Sequence, residues 1–400
     1  MRSGRASLAL ATVALALAGG AEAQSAAMDR EALHADVDRW VEKGLRRYQI
    51  AGAALAIVRH GRIVHRRGFG LADVARAHRV DPDSTVFHIA SVTKLLTAIA
   101  ALQQVEAGRL ELRQDIRPLL GRIRAAGWDR HRVTLHDLLT HTAGLDTRWI
   151  GMATEDPADV RTLAEYLRRA MPPIIDPPGA VVRYSNHGYA AIGRAVEVAS
   201  GLSWADYVEQ RILVPLQMRR SYAGPRAPDA HHAVPYRYRR DTTPEPNVHE
   251  HAAPGGAARS TATDLARLLV ALLDTTSGVP LSPEGKRLLL TPQHRIGSGV
   301  PGFAYGTFEY PNGRVRAASM GGEVPGFSTR LLIVPELGLG VVLMINRKDP
   351  TLAVGVFDSL LARLAGPASD LAPRAMGAGR GATSIDEIEG PDQAGRACRS

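Results

Sequence analysis

Segments with the pattern of β-strands lie near both ends of this chain, and the stretch between them, from about 91 to 290, is mostly helical in pattern. "GAALAIVRHGRIVHRRGFG" reads as two strands around a His60-Gly61 turn. "YGTFEY", "RVRAASM", "STRLLIVP" and "LGVVLMIN" read as strands toward the other end. A strand edge carries backbone donors and acceptors that need a partner. The sheet must therefore be assembled from both ends of the chain, and the fold class is α+β with the helical middle as an inserted lobe. A site is expected in the cleft between the two.

The expected division is a core of about 29–90 and 291–366, a helical lobe of about 91–290, and one domain over 24–366. Residues 29–48 predict an amphipathic helix through Leu33, Val37, Trp40, Val41 and Leu45. Further helices are expected at 91–107, around 187–200, and at 203–213, 263–274 and 351–364. Ser203 with Asp206, and Thr261 with Asp264, have the spacing of capping boxes.

Residues 1–23 read as a secretory signal. Arg2 and Arg5 precede a short apolar run from Leu8 to Ala18, and Ala21-Glu22-Ala23 fits the small-x-small cleavage pattern. Cleavage is expected between Ala23 and Gln24, and no later segment is apolar for 18 residues, so no integral membrane segment is expected after cleavage. The expected location is the periplasm or the medium. Cys398 is the sole cysteine, so no intrachain disulfide is expected. From Gly366 onward Gly, Ala, Pro and Arg recur without periodicity, and 367–400 reads as a disordered tail. The net charge is +9, but the arginines are scattered and no basic run interleaves with aromatics. That argues against a nucleic-acid partner.

The chain has 49 Lys and Arg residues, of which only Lys43, Lys94, Lys286 and Lys348 are lysines. Lys94 lies three residues after Ser91 in "HIASVTKLLTAIA", where an apolar helical run begins. Arginine stays charged, whereas lysine sheds its proton where charge is disfavoured. At a helix start the amides point outward unpaired and the dipole is positive. A neutral lysine there can take the serine proton, and the Ser91 N–H can face a developing oxyanion. A serine cap followed by a surface lysine is the plainer alternative. "DPPGAVVRYSNHGYAAIG" adds Tyr184 and Asn186 between a turn and a helix. Tyr184 is placed to relay a proton to a leaving group, and Asn186 to orient Lys94 or bind substrate. An ordinary amphipathic tyrosine and a helix cap are the alternatives.

With these residues in view, the chain resembles the serine β-lactamase-related family, which includes class C β-lactamases, penicillin-binding carboxypeptidases and related esterases. S-x-x-K is that superfamily's nucleophile motif. "FHIASVTK", "VTLHDLLTHTAGL", "PPGAVVRYSNHGYAAIG", "GGAARSTATDLARLL" and "GGEVPGFST" carry the resemblance in order, over about residues 29–364. It implies a β-lactamase/transpeptidase-like fold with Ser91 as nucleophile, Lys94 as base, Tyr184 as second acid/base and Asn186 completing the second motif. His141 falls at a position taken as structural. No cofactor or metal is implied.

The third motif departs from the family. Its Lys or His, any residue, Gly becomes Met320-Gly321-Gly322, and Met320 can neither donate a proton nor attract a carboxylate. By resemblance the N–H of Glu323 is the second oxyanion donor. Arg316 and Arg330 are the cations in reach of a replacement role. Two other groups compete for notice. Ser319 in "AASMGG" sits near a nucleophile-elbow pattern, but no histidine follows it to complete the required order. His249 and His251 have metal-ligand character without a third ligand at useful spacing, and a solvated loop is expected there.

The sequence thus predicts an exported serine hydrolase that acts on a small-molecule or short-peptide ester or amide through an acyl-enzyme, esterase-like in preference. The alternatives are a β-lactamase or D-alanyl-peptide carboxypeptidase, and a catalytically silent penicillin-binding-like module.

Overall fold

His60 and Gly61 both have positive φ (47° and 76°) in the computed structural model, which describes residues 28, 30–237, 243–297 and 299–365. Two central residues of that kind suit the right-handed twist of a tight hairpin. The turn joins β1 (Gly52–Arg59) to β2 (Arg62–Asp73), with Arg59 opposite Arg62. A two-residue strand β3 (His78–Arg79) borders β2. The remaining sheet strands are β4 (Phe308–Glu309), β5 (Ala318–Val324), β6 (Phe327–Val334) and β7 (Leu339–Ile345). All seven pair antiparallel in the order β3-β2-β1-β7-β6-β5-β4. The centre of the sheet is the pairing of the first long strand with the last, Ala53 opposite Ile345 through Arg59 opposite Leu339.

Side chains alternate across a strand, and both faces of this sheet are buried. Leu55 and Ile57 of β1, with Leu332 and Val334 of β6, pack under helix α1 (30–48) and helix α6 (Thr351–Ala365). Trp40 and Val41 come from α1, and Val356 and Phe357 from α6. The opposite face, including Ala54, Ala56 and Leu331, packs against α2 (Thr93–Glu106) and α5 (Ala262–Leu273). The same apolar cluster continues through α3 (Leu163–Ala170) and α4 (Asn186–Ser200) to Trp204. The inserted helices therefore share their core with the sheet's inner face.

Several expected elements shift. The 203–213 helix is an α-helical turn (Trp204–Val208) followed by a π-helical turn (Glu209–Leu213). Ser203 caps its helix with Asp206, and Thr261 Oγ1 accepts the Asp264 N–H at 3.2 Å, but the Asp264 carboxylate does not return the bond to Thr261 and instead accepts from Arg220 N–H and Ser221 Oγ. The strand read from "RVRAASM" begins only at Ala318, because Asn312 Oδ1 accepts from the N–H groups of Arg314 and Val315 at 2.8 and 2.9 Å and holds them in a turn. The expected signal (1–23) and tail (367–400) lie outside the described residues. Among the described residues no helix is long and apolar enough to cross a membrane.

Candidate active site

Ser91 lies in a single 3-10 turn, Ala90–Val92, and the α-helix proper starts at Thr93. The serine hydroxyl caps neither element, so the cap alternative falls and the hydroxyl is left for other partners. Ala90, just before it, has φ 47°. A left-handed alanine carries strain, and such strain persists only where surrounding structure fixes it. Here Ile89 N–H donates to Ala258 O at 3.1 Å, and Ala258 N–H donates to Thr93 Oγ1 at 3.0 Å. These bonds hold the turn on both sides.

Ser91 is partly exposed, while Lys94 one turn on is fully buried. The Lys94 Nζ lies 3.1 Å from Ser91 Oγ, 2.6 Å from Asn186 Oδ1 and 2.5 Å from the Gly255 carbonyl. A neutral amine has two hydrogens and one lone pair. The two shorter contacts take the hydrogens, and the lone pair is then left for the Ser91 hydroxyl. The Tyr184 hydroxyl donates to Ser91 Oγ from the other side at 2.7 Å. Asn186 is available for Lys94 because Ser185, not Asn186, caps α4, its Oγ accepting from Gly188 N–H at 3.0 Å. His141 has φ 61°, accepts the Ser185 N–H at 3.1 Å on Nδ1, and stacks on the Tyr184 ring with centroids 4.4 Å apart. It thus braces the tyrosine at the end of "LLTHTAGL".

Burial sets the protonation of this group. It pushes the Lys94 amine well below the usual lysine range, against the opposing pull of the Glu250 carboxyl. It pushes the Tyr184 phenol far up, despite the hydrogen bond to Ser91. It holds His141 well below the usual histidine range, with Lys94 adding to the effect. A phenol held neutral is an acid and a donor, and an amine that sheds its proton is a base. The two groups on either side of Ser91 therefore have opposite capacities.

Strand β5 closes the other side. A Cβ on Gly322 would lie 2.2 Å from Ile89 O and 2.7 Å from Ser91 N, so backbone meets backbone at the serine turn. Met320, on the same strand face, is 1% exposed and belongs to the apolar cluster with Val92, Leu95 and Leu331. Its side chain is core packing with little surface for a substrate, which corrects the expectation of a contact there. Gly321 and Glu323 point to the opposite face, where Arg330 Nη2 donates to Glu323 Oε1 at 3.2 Å. Arg330 is thus behind the sheet, and Arg316 pairs with Glu336 at 2.6 Å. Neither replaces the third-motif cation.

Ser319 is buried and donates to Leu331 O at 2.8 Å, an ordinary strand contact. The loop expected around His249 and His251 is instead interior. His249 is 2% exposed, and Thr154 and Ala153 pair with His249 and Glu250 in a short second sheet. Among the described residues no group of three His, Cys, Asp or Glu is placed to hold a metal ion. Two groups that bear on Lys94 escaped the sequence: the Gly255 carbonyl, which accepts from its Nζ, and the Glu250 carboxyl, which opposes the lowering of its pKa. Only the position of "HEHAAPGG" ahead of a helix hinted at them, and a backbone acceptor leaves no side-chain signature.

The Beta-lactamase family model matches residues 37–363. Esterase EstB of Burkholderia gladioli is 36% identical over 233 residues, which cover 55% of this chain and 58% of that protein. Penicillin-binding protein 4 of Amycolatopsis lactamdurans is 30% identical over 344 residues, 80% of this chain and 87% of that one. The crystal structure of a β-lactamase/D-alanine carboxypeptidase from Pseudomonas syringae superposes with a TM-score of 0.69 at 22% identity, over 83% of this chain and 98% of its own. The match thus spans well under two thirds of the esterase's length but most of the penicillin-binding protein's. With a family match over most of its length and a β-lactamase/transpeptidase-like fold, the chain belongs to the Beta-lactamase family.

Proposed function

We propose that this protein is an exported serine hydrolase that cleaves neutral esters through a Ser91 acyl-enzyme. The observation that carries the reading is the fully buried Lys94 Nζ, 3.1 Å from Ser91 Oγ with two acceptors for its hydrogens. Ser91 Oγ attacks the carbonyl carbon while its proton passes to Nζ. The N–H groups of Ser91 and Glu323 face the oxyanion. The tetrahedral adduct collapses, the bond to the alcohol breaks, and Tyr184 gives its proton to the leaving oxygen. Tyr184 recovers a proton from the Lys94 ammonium. Attack by water on the acyl-enzyme uses the same groups and returns Ser91 as the alcohol.

The preference for neutral esters rests on the missing cation. Met320 is packed inward and Arg330 lies behind β5, so nothing on that strand meets a carboxylate. The 36% identity to an esterase supports the same choice. Hydrolysis of β-lactams or D-alanyl peptides is the second reading, favoured by the longer match to penicillin-binding protein 4.

The test is intact mass after reaction with a fluorophosphonate, together with kcat/KM for short-chain esters, nitrocefin and a D-alanyl peptide. One adduct on wild type, none on Ser91→Ala and faster turnover of the neutral ester are expected. Full labelling of Ser91→Ala would overturn the nucleophile. Nitrocefin hydrolysis faster than ester hydrolysis would replace the esterase reading with the second one. Export is tested on secreted protein, whose N-terminus is expected at Gln24.

A further inference from the structure

Gly256 lacks a side chain in a place where a carboxylate fills the space. A Cβ there would lie 2.3 Å from Glu250 Oε2 and 2.4 Å from Oε1. The residue before it, Gly255, gives its carbonyl to Lys94 Nζ at 2.5 Å, and a Cβ on Gly255 would come within 3.3 Å of Asn186 Oδ1. Two consecutive glycines therefore bring the Glu250 carboxyl one residue away from an acceptor of the buried lysine. Glu250 is pinned there by the pairing of its strand with Ala153. Its Oε2 is buried and has no hydrogen-bond partner. A buried carboxylate without partners is costly, so this group needs a cation or a proton.

Several charged and titratable groups surround it. Arg259 adds positive charge, but its Nη1 and Nη2 donate to the carbonyls of Ala257 and Val248. Tyr166, bonded to His187 and packed near His251, and Tyr184 feel the carboxyl's charge. His88 is bound to Gly256 O, and His249 adjoins Glu250 with both rings near Arg259. Lys94 is the strongest cationic influence on Glu250.

We propose that Glu250 is a positioning residue for the base: Glu250 and Lys94 hold one proton in common, and the amine becomes neutral when the carboxyl takes that proton. The exchange moves a proton from nitrogen to oxygen and leaves the net charge of the buried pair at zero in both forms. Burial disfavours the charged form of each partner, raising the carboxyl and lowering the amine. The inference rests on Ser91 and Lys94 acting as the nucleophile and its base.

The experiment is the pH dependence of fluorophosphonate labelling of Ser91, in wild type and Glu250→Gln. Glutamine keeps the shape and removes the titration, so a packing role alone leaves the profile in place. In wild type the acid limb is expected to be broader than a single ionisation, because two sites share the proton. In Glu250→Gln the limb is expected to narrow to one ionisation and move to lower pH by roughly one unit, since a negative neighbour no longer favours the ammonium. A single-ionisation limb in wild type, or an unmoved limb in Glu250→Gln, would overturn the proposal. The wild-type curve decides alone if the variant does not fold. Wild type that fails to label at Ser91 would instead overturn the underlying mechanism.

Discussion

Lysine at position 94 can act as a base only when neutral, a form arginine does not reach in proteins. Lys94→Arg is therefore expected to lose as much labelling rate as Lys94→Ala, about 10²-fold or more. An arginine variant that keeps most of the rate would assign the residue an electrostatic role. The direction of the pH dependence follows from burial. Activity should rise as pH increases through the lowered Lys94 pKa, so the rising limb of kcat/KM lies well below the usual lysine range. On the other side of Ser91, Tyr184→Phe removes the proposed proton donor to the leaving oxygen. It should lower kcat for a neutral ester by about 10²-fold and change KM much less; a wild-type-like kcat with a raised KM would point to binding alone. Motif spacing and resemblance nominated Ser91, Lys94, Tyr184 and Asn186, and the structure brings these four side chains into one hydrogen-bonded chain. The scarcity of lysine was a weaker guide than it first looks. Lys286 is buried too, but its Nζ donates to the backbone carbonyls of Asp274 and Ser277 and contacts no serine hydroxyl. Glu250 was illegible because its meaning lies in distance to a residue far away in sequence.

At the scale of elements, helix existence was easier to read than helix ends. Apolar periodicity marked α2, α4, α5 and α6, while tertiary bonds decided where each begins. The turn Ala90–Val92 is the clearest instance: bonds from the 258 region hold it outside the α-helix. The orientation of β5 was half legible. The third-motif position was readable, but which face Met320 took depended on the register with β6, Met320 opposite Leu331. That register makes Gly322 the contact with the serine turn. Gly322→Ala would drive a Cβ into Ile89 O. The turn must then shift, and displacement of this order costs about 10²-fold in rate. The expected outcome is a lower Tm and labelling reduced by about that factor. Unchanged labelling would show that strand and turn can separate without harm.

Across the whole molecule, the α+β class and the sheet made from both chain ends were readable from where strand patterns fell. The pairing of β1 with β7 follows from the same physics, since each needs a neighbour. The continuous core beneath the inserted helices was not readable, because which apolar faces meet is a three-dimensional fact. A chain ending at Tyr310 keeps Ser91 and Lys94 but loses β5, β6 and β7. It is expected to form no fluorophosphonate adduct under conditions that label the full chain, and an adduct on it would separate chemistry from sheet completion. The antiparallel order also has a meaning in time. During synthesis the serine turn emerges long before the strand that abuts it, and β1 waits for the last strand of the sheet. On the proposed mechanism the serine is thus made early and armed late, since an unfinished chain carries Ser91 without the strand proposed to supply its second oxyanion donor.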